Sequence, residues 1–144
     1  MKKGLNSNSD TPDKDFSLPK AKILRGRKNF QHLFERDAIL FRAEHVNLRF
    51  RLFSEANNQY QMGFIVKKGL GKATKRNRVK RLLKEAYRLN QHILSDSIKT
   101  SSYSFHGALM ANAIDVTFEQ IQQNIVELLR KVQAHILSTT DSDS

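Results

Sequence analysis

A dense run of basic residues is the feature of this sequence most able to bind a ligand. Residues 67–88 contain ten of the chain's 25 lysines and arginines, and Glu85 is the only acidic residue among them. Surface helices usually place acids and bases three or four residues apart, whereas like charges at this spacing repel each other. Phosphate groups would supply the missing negative charge, so we predict nucleic-acid binding. The charge pattern alone does not distinguish RNA from DNA. The basic residues are Lys67, Lys68, Lys72, Lys75, Arg76, Arg78, Lys80, Arg81, Lys84 and Arg88.

The loop at residues 69–74 superficially resembles a phosphate-binding loop of nucleotide-binding proteins. The required spacing fails, because Val66 stands where the first glycine should be and Ala73 follows Lys72 in place of Ser or Thr. We therefore expect the glycines to turn the chain from a strand into a helix.

No set of residues predicts a hydrolytic site on the protein itself. The five histidines lack metal-ligand spacing, the chain has no cysteine, and no Ser/His/Asp set or carboxylate pair is evident. We expect no catalytic residue, no protein-bound metal and no small-molecule cofactor.

The basic run is predicted to lie on a helix over residues 75–93, with Thr74 as its N-cap. Apolar residues recur at helical spacing and define a buried side. Asn77, Arg81, Lys84 and Arg88 cluster on the opposite side, which we expect to face the nucleic acid. The apolar set is Val79, Leu82, Leu83, Ala86, Leu89 and Ile93.

The remaining elements follow from hydrophobic periodicity. Residues 27–36 predict a short helix with Phe30, Leu33 and Phe34 on one face. Residues 45–53 alternate as a strand, with Val46, Leu48, Phe50 and Leu52 on one side and Asn47, Arg49 and Arg51 on the other. Asn57 and Asn58 then predict a turn, and residues 59–66 predict a second strand that forms a hairpin with the first. Residues 103–111 predict a third strand, and residues 117–137 a helix with a capping box of Thr117 and Gln120. The predicted fold class is α+β, a sheet packed against helices.

The composition indicates how the chain is divided into domain and tails, and in which compartment the protein works. We expect a disordered tail at 1–20, one α+β domain at 21–137 and a disordered acidic tail at 138–144. The formal net charge is +11. Residues 1–20 lack the apolar stretch of a signal peptide, and no run could span a bilayer. We expect a cytoplasmic protein with no membrane partner.

The run from Lys75 to Arg88 resembles the signature of the bacterial ribonuclease P protein component. The flanking segments Gly63–Val66, Gly71 and Asn29–Phe34 also match, and the resemblance extends from about Leu24 to Val132. The residues that fit the signature are Arg76, Asn77, Lys80, Arg81, Lys84, Glu85 and Arg88.

The resemblance implies a two-layer sandwich in the order α-β-β-β-α-β-α, with a left-handed crossover through the basic helix. The additional strand would come from residues 38–44. The family's catalyst is an RNA subunit that holds Mg²⁺, and the reaction removes the 5′ leader of precursor tRNA by phosphodiester hydrolysis. The implied contacts of the catalytic RNA are Lys68, Lys72, Arg76, Asn77, Arg78, Lys80, Arg81, Lys84 and Arg88.

The resemblance also implies a cleft for the single-stranded leader. Phe30 and Phe34 align with the family's cleft aromatics, and the contribution of the sheet falls on Leu48 or Phe50. Single strands bind by stacking on aromatic rings beside positive charge. The other interpretation of the two phenylalanines is that both are plain core residues.

Three other classes of protein remain alternatives. A ribosomal protein is also small and basic, but would not support tRNA processing. A DNA-binding regulator would need residues that read base edges, which this bulky basic face lacks. A stand-alone nuclease would need a site that the sequence does not contain.

Overall fold

The computed structural model describes residues 16–54 and 58–143. A short 3-10 turn at Lys20–Lys22 precedes helix α1. The chain then forms three strands, a second 3-10 turn at Lys68–Leu70, two consecutive helices, a fourth strand and a long final helix. The elements are α1 (Arg27–His32), β1 (Ile39–Arg42), β2 (Val46–Ser54), β3 (Tyr60–Val66), α2 (Ala73–Asn90), α3 (His92–Lys99), β4 (Tyr103–Ala111) and α4 (Phe118–Asp143).

The strands form a single four-stranded sheet in the order β1-β2-β4-β3. β2 pairs antiparallel with β1 and with β4, whereas β3 lies parallel to β4. The predicted hairpin between β2 and β3 is therefore wrong, because β4 lies between these two strands. Of the two predicted turn residues, Asn57 lies outside the described residues and Asn58 has a positive φ of 48°.

The crossover from β3 to β4 explains the weak alternation of β4. A parallel pair needs a long connection, which α2 and α3 supply here. β4 is then covered on both faces: Phe105 and Leu109 face the main core, while Ala108 packs beneath α1. Strands covered on both faces lose the polar half of their alternation. The expected left-handedness of the crossover stays a prediction.

The main core lies between one face of the sheet and helices α2, α3 and α4. β2 contributes Val46, Leu48 and Phe50 to this core, in the alternation that the sequence predicted. The apolar stripe of α4 packs against them, and its first turn has the predicted capping box. Thr117 N–H donates to Gln120 Oε1 at 3.0 Å, and Gln120 N–H donates to Thr117 Oγ1 at 3.1 Å.

Helix α1 lies against the opposite face of the sheet, which we call the outer face. Leu33 is fully buried with Leu24 and Ala108, and Phe30 packs beside them. Residue 24 is tied to the sheet, because its N–H donates to the carbonyl of Met62 at 3.1 Å. The outer face is thus covered by α1 at its middle only.

Several predicted boundaries differ from the structure, and helix α1 ends at His32 rather than at residue 36. The basic helix starts at Ala73 with Lys72 as its N-cap, so Thr74 lies in the first turn and caps nothing. It ends at Asn90 and is followed by α3. The single predicted helix over residues 75–93 included the first residues of α3. The predicted acidic tail at 138–144 is helical as far as Asp143, as a continuation of α4. Of the predicted tail at 1–20, residues 1–15 lie outside the described residues, and Leu18 packs against the core.

Candidate nucleic-acid interface

The loop before α2 is shaped by one glycine. Gly71 has a φ of +155°, and a Cβ at this position would lie 2.5 Å from Ile114 Cδ1. Arg76 fixes the loop from the helix side, since its Nε donates to the carbonyl of Gly71 at 3.0 Å. The predicted role of this glycine in turning the chain into the helix is confirmed.

Between Lys68 and Lys84, six basic side chains are exposed and make no ion pair or side-chain hydrogen bond to any described residue. α2 also begins without a side-chain cap from Lys72, which leaves its first N–H groups open to an anion. An uncompensated cluster of this kind attracts phosphate groups. We call these six residues the cationic surface: Lys68, Lys72, Lys75, Lys80, Arg81 and Lys84.

Besides Arg76, two further arginines from the predicted RNA-contact set are bonded within the protein. Arg78 donates from Nη2 to the carbonyl of Val116 at 3.0 Å. Arg88 makes a two-pronged pair with Glu85, at 2.9 and 2.7 Å, and also donates to the carbonyl of Phe16 at 3.2 Å. The hydrogen bond from Arg88 lowers the pKa of Glu85, and the same bond raises the pKa of Arg88.

A cleft of about 350 Å³ connects helix α1 with the start of α2. Phe30 lines this cleft, and so do Arg76, Asn77 and Lys80 of α2. The end of β3 supplies the floor, with Phe64, Ile65 and Val66. The structure therefore brings Phe30 and three of the predicted RNA-contact residues together in one cavity.

Phe30 and Phe34 differ in their environments. The ring of Phe30 lies over Gly63, where an added Cβ would come within 2.5 Å of Phe30 Cζ. Phe34 is 56% exposed, and the guanidinium carbon of Arg49 lies 4.7 Å from its ring centroid. Phe30 is a half-buried wall of the cleft, whereas Phe34 presents an aromatic surface beside a positive charge.

The structure contradicts the prediction that Leu48 or Phe50 lines the leader cleft. Both are 0% exposed and lie in the main core, on the sheet face opposite α1. Side chains alternate along a strand, so the outer face of β2 presents Asn47, Arg49 and Arg51 instead. Sequence analysis missed Arg49 as a neighbour of Phe34, although the alternation already placed it on the face away from the core.

Two kinds of feature are absent from the described part of the chain. No group of three or more His, Cys, Asp or Glu residues there could hold a metal ion. Within residues 16–54 and 58–143, no helix is both long and apolar enough to cross a bilayer.

The fold and the site define a small, strongly basic α+β protein with an aromatic cleft beside a cationic helix. The sequence model of one family, described as Ribonuclease P, matches residues 18–133. The chain therefore belongs to the family of the ribonuclease P protein component.

Several curated relatives carry the name "Ribonuclease P protein component". The Clostridioides difficile protein is 38% identical over 76 residues, which cover 53% of this chain and 63% of that protein. A Clostridium botulinum protein is 32% identical over 110 residues, which cover 75% of this chain and 91% of that protein. The alignment with the Clostridioides relative thus spans less than two thirds of its length.

Solved structures have the same fold. The ribonuclease P protein from Thermotoga maritima superposes with a TM-score of 0.60 at 23% identity, covering 76% of this chain and 96% of that one. The Staphylococcus aureus protein gives a TM-score of 0.55 at 20% identity, covering 84% and 96%.

Proposed function

We propose that this chain is the protein subunit of ribonuclease P. In this function it binds the catalytic RNA and the 5′ leader of precursor tRNA, and promotes removal of the leader in the cytoplasm. The observation that supports the proposal most directly is the cleft, which Phe30 lines together with Arg76, Asn77 and Lys80 of α2.

The cationic surface is assigned to the catalytic RNA. Lys80, Arg81 and Lys84 project from the exposed side of α2, and among the described residues no acid pairs with them. Arg78 and Arg88 are assigned to holding parts of the protein in place and not to RNA contact, because their guanidinium groups already bond within the protein.

The leader is assigned to the cleft and the adjoining outer face. Phe34 and Arg49 offer an aromatic ring and a guanidinium plane, the two surfaces on which unpaired RNA bases stack. Lys80 lines the cleft and also belongs to the cationic surface. A strand in the cleft would therefore begin next to the catalytic RNA.

The hydrolytic step is assigned to the RNA subunit, which would hold the Mg²⁺ ions. The protein's share is electrostatic: its cations neutralise phosphates, so that two RNA molecules approach each other with less repulsion. The ribosomal, DNA-regulator and stand-alone nuclease alternatives are not favoured by the family to which the chain belongs.

The test is reconstitution of the protein with a bacterial ribonuclease P RNA and a precursor tRNA at low Mg²⁺. We expect the protein to restore cleavage at the mature 5′ end. The variant K80A/R81A/K84A should lose most of this effect, because it removes three unpaired cations of the cationic surface.

The matched control is K99A/R130A/K131A, which removes three exposed positive charges from α3 and α4. This control should retain the stimulation. An equal loss of stimulation in both variants would mean that only the net charge of the protein matters, and would contradict a dedicated RNA-binding surface. Failure of the unmodified protein to stimulate cleavage would contradict the proposed function itself.

A further inference from the structure

A second aromatic cluster lies on the outer face, beyond the part that α1 covers. The guanidinium carbon of Arg51 lies 4.9 Å from the ring centroid of Phe53. The ring of His106 meets that of Phe53 edge to face, with 4.8 Å between centroids and 71° between planes. Arg51 and His106 are direct cross-strand partners of β2 and β4. We call these three residues the distal platform.

The surroundings of the distal platform favour an anionic ligand. The strand pairing places Arg42, Asn47, Arg49 and Arg51 on the outer face of β1 and β2. The outer-face positions of β3 and β4 are occupied by residues such as Gln61, Ser104 and Met110. None of the described strand residues on this face is acidic.

The distal platform aligns with the cleft along the strands. Arg49 pairs with Ala108, and Ala108 pairs with Gly63 beneath Phe30. Phe53 lies four residues farther along β2, a distance of about 13 Å at the strand rise of roughly 3.3 Å per residue. The carbonyl of Ala21 accepts a hydrogen bond from Gln61 Nε2 at 2.9 Å, which places the N-terminal segment along the β3 side. The β2 and β4 side of this face therefore leads from Phe34 towards Phe53.

We propose that the distal platform binds an unpaired nucleobase of single-stranded RNA, as a second stacking site beyond the cleft. This inference rests on the proposed function and deepens it. The bound strand would start at the cationic surface, cross Phe34 and Arg49, and reach Phe53 and Arg51 with its more distant nucleotides. Arginine supplies a planar group for stacking together with a charge for the adjoining phosphate.

The consequence is a preference for long leaders that a single cleft does not explain. A short leader ends before it reaches Phe53, whereas a longer one occupies both stacking sites. Two separated sites on one strand also raise affinity together, because the second binding step becomes intramolecular.

The experiment measures the affinity of reconstituted holoenzyme for precursor tRNAs with leaders of about 4 and about 16 nucleotides, the range of strand lengths that one small binding domain covers. Phe53→Ala should weaken binding of the long-leader substrate roughly 5- to 150-fold and leave the short-leader substrate unchanged. Phe53→Tyr should restore the affinity, since it keeps the aromatic ring. Arg51→Lys should recover it only in part, because lysine keeps the charge but not the plane.

The matched control is Leu137→Ala, which removes a 59% exposed apolar side chain from α4. Two results would overturn the proposal: equal affinities of Phe53→Ala and unmodified holoenzyme for the long leader, or equal loss for both leaders with a lower melting temperature. In either case the unmodified holoenzyme still binds and cleaves precursor tRNA. Failure of the unmodified protein to assemble with the catalytic RNA would refute the proposed function, and the distal platform with it.

Discussion

At the level of single residues, Leu33 and Phe34 are neighbours with opposite roles. Leu33 is 0% exposed and fills the space between α1 and the sheet, whereas the Phe34 ring is open to solvent beside Arg49. Substituting these two adjacent residues one at a time therefore distinguishes effects on folding stability from effects on ligand binding.

Phe34→Ala should weaken holoenzyme binding of leader-bearing precursor tRNA by about 1–3 kcal/mol per stacked base. Binding of mature tRNA, which has no leader, should stay the same, and so should the melting temperature. Leu33→Ala should instead cost about 2–5 kcal/mol of folding stability. Paired measurements of affinity and melting temperature distinguish a stacking role from a packing role. A large loss of stability in Phe34→Ala would show that this residue belongs to the core.

The roles of individual residues, whether they face a ligand or bond within the protein, were the part of the site that the sequence could predict least. Alternation separated Leu48 and Phe50 from Arg49 and Arg51, but it does not state which face a helix such as α1 covers. The charge run likewise identified Arg78 and Arg88, yet their bonds to Val116 and Phe16 join residues far apart in sequence. Periodicity contains no information on such contacts.

At the level of elements, we propose that Arg81 of α2 contacts the RNA, whereas Arg78 and Arg88 bond within the protein. Arg81→Ala should lower the slope of log affinity against log salt by about 0.7–0.9 for the phosphate contact it loses. Arg88→Ala should change this slope much less, because its guanidinium is held by Glu85 and the carbonyl of Phe16. Salt titrations of binding to the catalytic RNA test both variants. Equal slopes for the two would mean that Arg88 leaves Glu85 on binding.

Local elements could be predicted from their apolar residues and from the side-chain signals at their ends. β4 was predicted over residues 103–111 and is observed over the same range, and the capping box of α4 is confirmed. The pairing of β3 was predicted wrongly, because its partner β4 lies about 40 residues away and no turn signal specifies a parallel pair. The start of α2 was misplaced because Lys72 gives no capping signal.

At the level of the whole molecule, the proposed function has a chain with a formal net charge of +11 bind the catalytic RNA through α2 and the precursor tRNA through its outer face. We predict that purified, RNA-free protein does not cleave precursor tRNA, because its described residues supply cations and aromatic rings but no group of three or more His, Cys, Asp or Glu residues that could hold a metal ion. The catalytic RNA alone should cleave at high Mg²⁺, where the added ions replace the protein's neutralising charge.

A Mg²⁺ titration of cleavage with RNA alone, protein alone and both together measures each contribution. The combined sample should reach half-maximal cleavage at a lower Mg²⁺ concentration than RNA alone. Cleavage at the mature 5′ end by protein that has been freed of RNA would assign the chemistry to the protein and overturn this division of roles.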